Sequence, residues 1–342
     1  MISRHELLRF VKIATFRKTI NLFKTFVSFY LSRFLGISYI NHLPFTLSFE
    51  PTTTCNLGCP ECPSGLKSFT RETGNASLSL YQKILEESKD HLLILYLYFQ
   101  GEPFIHKDFI EMIRMAHDRH MYTITSTNGH YLTPRKAEEV VQSGLDRILI
   151  SIDGSTQEVY EQYRIGGNLE KVIEGTKNMV EAKRRLKSSH PEIVFQMLVV
   201  KPNEVQISEV EKLAASLGVD QLVLKTAQVY DFENGNSLIP TIEKYSRYKQ
   251  MPNGKWKIKS ELKNQCWKMW HSAVSTWDGQ MIPCCFDKDA KYAMGNLQKE
   301  TISEIWNNEK YKNFRSKILK SRSEIDICQN CSEGTKVWET VS

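Results

Sequence analysis

Nowhere does the sequence hold the run of about 18 uncharged apolar residues that a membrane span requires, which excludes a multi-span membrane protein. It also lacks an internal repeat, a low-complexity tract and a small-residue cleavage site behind a compact apolar stretch, so neither a solenoid nor a secretory signal is expected. Cysteine is missing from the whole of 63–265, unlike the evenly cysteine-dense chain of a small disulfide-stapled secreted domain. Acidic residues are scarce at the start. Residues 1–44 hold Arg4, Arg9, Lys12, Arg17, Lys18, Lys24 and Arg33 against Glu6 alone, so this segment carries the entire net charge of +6. The remaining 298 residues balance, with 38 charges of each sign, and offer no continuing basic track for nucleic acid. What is present is the composition of a globular enzyme: 342 residues, 41% apolar, 11% aromatic and 25% charged.

From residue 45 the pattern alternates. Strand-like runs fall at 45–50, 92–99, 122–126, 147–152, 193–200 and 221–225, with helical patterns near 78–89, 107–120, 134–143, 156–184 and 206–216. Such alternation predicts right-handed βαβ units and a parallel sheet. The expected fold is α/β, a partial β/α barrel of about six units with a small cysteine-rich C-terminal extension. The expected division is a basic amphipathic helical segment over 1–44, a core over 45–228, a polar linker over 229–265 and the extension over 266–342. Within the extension, 274–285 reads as a hairpin turning at Asp278-Gly279, with a helix over 301–320.

Chemistry in such barrels collects at the C-terminal ends of the strands, and the polar residues of this chain fall there. The first strand is followed by Cys55, Cys59 and Cys62, and the second by Gln100-Gly101-Glu102-Pro103. After the third comes Ser126-Thr127-Asn128-Gly129; the fourth ends on Ser151 and Asp153-Gly154. Three close thiols leave one position of a metal centre open. A zinc knuckle completed by a distant histidine is the plain alternative. An iron–sulfur cluster with one iron lacking a cysteine fits the count, and an open iron can bind a small molecule.

The Cys55-x3-Cys59-x2-Cys62 signature, with Gln100-Gly101-Glu102-Pro103 after the next strand, resembles the radical S-adenosylmethionine (SAM) superfamily over roughly 45–228. The resemblance implies a 4Fe–4S cluster on these three cysteines whose open iron chelates SAM. Reductive cleavage would give methionine and a 5′-deoxyadenosyl radical that abstracts a substrate hydrogen. It further implies that Gly101 and Glu102 meet the methionine amino group, that Ser126, Asn128, Ser151 and Asp153 lie near the ribose or methionine, and that Arg164 is a candidate for the carboxylate. Glu61 stands where a large apolar residue often precedes the third cysteine.

The second group, Cys266, Gly279-x4-Cys284 and Cys328-x2-Cys331, is similar to the SPASM/Twitch extension of the same superfamily. That resemblance implies one auxiliary 4Fe–4S cluster on Cys266, Cys284, Cys328 and Cys331, the shorter Twitch-like arrangement, with Cys285 left over. A four-cysteine zinc site is the alternative, because Cys-x2-Cys alone does not separate the metals. A fully ligated second cluster suits electron transfer, hence a two-electron oxidation of a small-molecule, sugar or lipid-linked substrate. A peptide- or protein-modifying maturase is the runner-up, and a zinc-binding interaction protein the reading from another class. No catalytic residue is identified; Tyr98, Gln196, Lys225 and His271 are candidates for the base. The expected partner is a one-electron reductant such as flavodoxin or ferredoxin, in a reducing cytoplasm, with no nucleic acid. Ile20, Phe23, Val27, Tyr30, Leu31 and Phe34 recur at helical spacing before Gly36. That helix either packs on the barrel or lies on an anionic membrane surface.

Overall fold

The computed structural model describes residues 4–332 and 338–341. Six parallel strands form the core: β1 (Thr46–Phe49), β2 (Ile94–Tyr96), β3 (Tyr122–Thr127), β4 (Arg147–Ser151), β5 (Glu192–Val199) and β6 (Gln221–Thr226), paired in sequence order. This is the expected partial β/α barrel. The sheet does not close among the described residues. It continues at one edge through β9 (Ser272–Ser275), parallel to β1, and antiparallel β10 (Gln280–Ile282) and β11 (Gly295–Asn296). At the other edge β12 (Trp338–Val341) runs antiparallel to β6.

Local chemistry sets the intervening helices. Ser77 caps the helix Leu78–Ser88 through Leu80 N, and Thr133 caps Pro134–Gln142, whose proline occupies the first turn where no donor is needed. Gly218 ends Ile207–Leu217 in the left-handed conformation (φ +74°). Alternation along the strands makes two apolar layers. Leu47, Leu95, Ile148, Phe195 and Leu224 pack outward against the helices, whereas Tyr122 and Ile124 face inward with Ile94, Tyr96, Tyr98 and Leu149.

Residues 156–184, which read as one helix, form two, Gln157–Tyr163 and Leu169–Arg185, separated at Gly166–Gly167. Asn308 similarly divides 301–320 into Ile302–Asn307 and Glu309–Ser321 by capping the second piece at Tyr311 N. Residues 229–265 are more than polar connection. They carry the hairpin β7 (Tyr248–Gln250) and β8 (Trp256–Ile258), and bury Leu238, Ile239 and Tyr248 against Leu57 and Cys59.

The N-terminal segment forms α1 (Arg4–Ile13) and α2 (Phe16–Leu35) beneath the barrel, at the end where the strands begin. Phe10 stacks on Tyr122 with centroids 4.6 Å apart, and Ile13 is fully buried among the inward-facing residues. Arg9 Nε reaches Asp146 Oδ1 at 2.7 Å just before β4, and Lys18 Nζ donates to His120 O at 2.6 Å just before β3.

Candidate active site

At the opposite end, the loop after β1 carries Cys55, Cys59 and Cys62 in a fold that leaves almost no slack. Gly58 N donates to Ile165 O at 2.9 Å, and a short helix begins at Pro63 directly after Cys62. A β-carbon on Gly65 would stand 2.5 Å from Cys59 N, so the loop closes only around glycine. The turn after β2 is locked onto the same loop. Gly101 N donates to Ser64 Oγ at 2.8 Å and Glu102 N to Thr54 O at 2.8 Å. Gly101 needs both its left-handed φ of +73° and its missing side chain, since a β-carbon there would lie 2.3 Å from Thr52 O.

Glu102 is buried, and its carboxylate accepts from Thr127 Oγ1 (2.8 Å), Asn128 N (2.7 Å) and Phe104 N (3.2 Å). Burial outweighs these donors and pushes its pKa up to about 7. Asn128 Nδ2 in turn meets Asn56 Oδ1 at 2.8 Å and Cys55 Sγ at 3.9 Å. The break in the helix at Gly166–Gly167 brings Arg164 inward. Its Nε contacts Asp153 Oδ2 at 2.5 Å and its Nη1 lies 3.8 Å from Cys59 Sγ. Asp153, fully buried, spends its other oxygen on Leu198 N at 2.6 Å. Cys62 Sγ is 3.9 Å from Gln100 Oε1.

Cys55, Cys59, Cys62, Gly101, Glu102, Asn128, Asp153 and Arg164 therefore form one connected set at the strand ends. Ser126 and Ser151 stand two residues beyond Ile124 and Leu149 on their strands and so share the inner face. Glu61 points elsewhere: its Oε2 accepts from Tyr230 N at 2.9 Å, tying the cysteine loop to the segment after β6. Of the base candidates, His271 leaves the site, because it lies at the start of β9 stacked on Phe45 (4.9 Å) and beside Thr46. Lys225 remains inside, its pKa lowered to about 8 by burial, and burial pushes the Tyr98 phenol up.

The extension gathers the other thiols. Arg322 Nη2 lies 3.3 Å from Cys331 Sγ, and its charge is felt by Cys328 and Cys266; its Nη1 donates to Gln265 O at 2.7 Å. Cys285 accepts from the Cys284 thiol and has Lys268 Nζ 3.6 Å away, which draws it well below the usual thiol range while Cys284 moves up. Neither Arg322 nor Lys268 carries a sequence signal; each looks like one more surface cation until burial is known. The same holds for Arg247, buried beside the end of β6 with Nη2 on Thr226 O at 3.2 Å and no partner for Nε or Nη1. Arg71 joins the two regions: it pairs bidentately with Glu50 at 2.6 and 2.9 Å, and its Nε donates to Lys288 O of the extension at 2.9 Å.

None of the eight cysteines is in a disulfide. Among the described residues no three His, Cys, Asp or Glu side chains converge on a single-ion point, as a tetrahedral zinc site demands. Thiolates on a four-iron cube stand further apart, because the cube lies between them. Free thiols on a tight loop, with amide and guanidinium groups beside the sulfurs, are a donor set that fits such a cluster.

Comparison with known proteins agrees with this chemistry. A family model described as the radical SAM superfamily matches residues 49–214, and one described as an iron–sulfur cluster-binding domain, SPASM, matches 266–332. A tungsten-containing aldehyde ferredoxin oxidoreductase cofactor-modifying protein of Pyrococcus furiosus is 29% identical over 317 residues, covering 84% of this chain and 86% of its own. A PqqA peptide cyclase of Gluconobacter oxydans is 26% identical over 283 residues, covering 77% and 76%. Among solved structures, Streptococcus suis SuiB bound to S-adenosylmethionine superposes with a TM-score of 0.62 at 15% identity, covering 86% of this chain and 73% of that one.

Proposed function

Since the chain belongs to the radical SAM superfamily and carries a SPASM-type extension, we propose that it is an oxidoreductase that removes two electrons from its substrate, by dehydrogenation or cross-linking. The supporting observation is the clamp between the Cys55–Cys62 loop and the Gly101–Glu102 turn at the ends of adjacent strands. When bound, a 4Fe–4S cluster with SAM supplies hydrogen-atom abstraction, and an auxiliary cluster supplies a one-electron acceptor.

The residues have separable tasks. Cys55, Cys59 and Cys62 would hold the first cluster, and Cys266, Cys284, Cys328 and Cys331 the second. Gly101 and Glu102 are assigned to the SAM amino group, with Asn128, Ser126 and Ser151 nearby. Asp153 orients Arg164, whose guanidinium offers positive charge beside Cys59 and would meet the SAM carboxylate when SAM is bound. Arg322 keeps positive charge against the auxiliary thiols, as cations near a cluster's sulfurs tune its potential.

The substrate is read as a small molecule, sugar or lipid-linked compound bearing an anionic group. Arg247, with two buried nitrogens lacking partners, supports the anionic part. A peptide is the second reading, favoured by the peptide-cyclising relative. A one-electron reductant such as flavodoxin or ferredoxin would feed the first cluster.

Anaerobically reconstituted protein is expected to hold about eight irons, four for each cube. Replacing Cys328 and Cys331 by Ala should bring this to about four while SAM cleavage persists. A wild-type content near four would remove the auxiliary cluster and the oxidation reading with it.

A further inference from the structure

The helix α2 is amphipathic the wrong way round for a helix that simply covers a barrel. Its buried face is mostly polar and small, with Lys18, Thr25, Ser28 and Ser32 beside one aromatic, Phe29, which packs edge-on against Trp267 and Trp270. Each polar residue has a defined partner. Lys18 Nζ bonds His120 O, Thr25 Oγ1 bonds Asn21 O at 2.8 Å, and Ser28 and Ser32 hold Tyr39 O. Trp270 Nε1 adds a bond to Ser32 Oγ at 3.2 Å, and Asn21 pairs with the backbone of Leu43 in both directions at 2.9 Å. The Thr25 bond lies within the helix; the others fix its rotation, so that its apolar stripe is turned away from the protein.

The stripe is large. Phe16 is 81% exposed, Phe23 68% and Phe34 88%, with Ile20, Tyr30 and Leu31 exposed between them. On a 20-residue helix, about 30 Å long, these fall on one side. The apolar surface continues into Leu35 and Ile37 past the end of the helix. Lys24 and Arg33 lie along its margins, and the first 44 residues contain a single acid.

We propose that this face docks the enzyme on an anionic membrane surface, with α2 lying in the interfacial plane and the barrel above it. The combination of a contiguous aromatic stripe and flanking cations matches a bilayer carrying acidic headgroups. A second copy of the chain fits less well, because a two-fold contact through α2 would set Lys24 and Arg33 of one copy against the same cations of the other. No described helix is long and apolar enough to cross the membrane, so the contact is peripheral.

The orientation follows from the fold. α2 packs where the strands begin, against His120 before β3 and Trp270 before β9, while the cysteine loop lies where they end. The catalytic rim therefore faces the aqueous phase, which favours the small-molecule or sugar reading of the substrate over the lipid-linked one.

The test uses the full chain and sedimentation with vesicles of phosphatidylcholine alone or with one quarter phosphatidylglycerol. Binding to the anionic vesicles is expected, weakened at least tenfold by high salt. Phe23→Ser with Phe34→Ser, both exposed and outside the core, should weaken it at least tenfold with an unchanged melting temperature. Equal sedimentation with and without vesicles, or an unaffected double variant, would overturn the proposal. So would a self-association abolished by the same variant in a protein that ignores lipid. Saturating vesicles should leave dithionite-driven SAM cleavage unchanged; strong inhibition would overturn the orientation.

Discussion

Replacing Asp153 by Asn is expected to cost about 3–5 kcal/mol of stability, the scale for breaking a buried ion pair by removing one partner. Asp153 has no exposed surface and the Arg164 side chain only 15%, so neither water nor salt screens their 2.5 Å contact. Asparagine keeps the shape and can still accept from Leu198 N, yet it leaves Arg164 charged and without its counter-ion beside Cys59. Thermal unfolding of the iron-free protein reads the stability loss without interference from cofactor. Adding Arg164→Gln should recover part of it, because the stranded charge is then gone. A double variant that is the sum of the two single losses would mean that the pair is not coupled. SAM cleavage should fall at least tenfold in both variants, since neither presents the guanidinium in its place.

A single methyl group is expected to do comparable damage at Gly101. In Gly101→Ala the new β-carbon would sit 2.3 Å from Thr52 O and 2.9 Å from Thr54 O, at a φ of +73° that already disfavours any side chain. Both contacts are rigid backbone, so the turn must retreat from the cysteine loop and give up the Glu102 N bond to Thr54 O. The first cluster should load poorly and SAM cleavage should drop by about 100-fold, of the order produced by small misplacements of reacting groups. Gly254→Ala is the control. Its φ is +81° but nothing stands within 4 Å of its β-carbon, so it should lose only about 1 kcal/mol and keep its iron. Equal behaviour of the two variants would mean that φ alone, and not the approach to Thr52, matters at Gly101.

Both sites show what the sequence could convey. Residue type and spacing identify Cys55, Cys59 and Cys62, and strand alternation places them at the end of β1, because ligand chemistry and period-two burial are local properties. The glycines at 101 and 65 could be seen but not their reasons, which are contacts with backbone some 50 and six residues away in sequence. The double glycine at 166–167 is a visible helix breaker that the long polar periodicity of 156–184 concealed. Without that break Arg164 would continue a surface helix instead of reaching Cys59. The Asn308 cap was masked in the same way.

Burial of cations is the larger gap. Arg322, Arg247 and Lys268 are drawn inside by thiols and carbonyls from distant parts of the chain, and no window of sequence reports that. The helix α2 makes the complementary point. Its apolar spacing is plain, and the usual expectation that such a face turns inward is what its serines and Lys18 overrule. Which face of an amphipathic helix meets the protein depends on the partner's hydrogen-bonding groups, here the carbonyls of Tyr39 and His120.

The Cys55–Cys62 loop and the Gly101–Glu102 turn are assigned together as a SAM-cleaving site. Its most direct test is the yield of 5′-deoxyadenosine from reconstituted, dithionite-reduced protein supplied with SAM under anaerobic conditions. Wild type should form it steadily, and Cys59→Ala should form none while retaining the auxiliary cluster's iron. Absence of the product from iron-replete wild type, or equal formation by Cys59→Ala, would contradict the assignment.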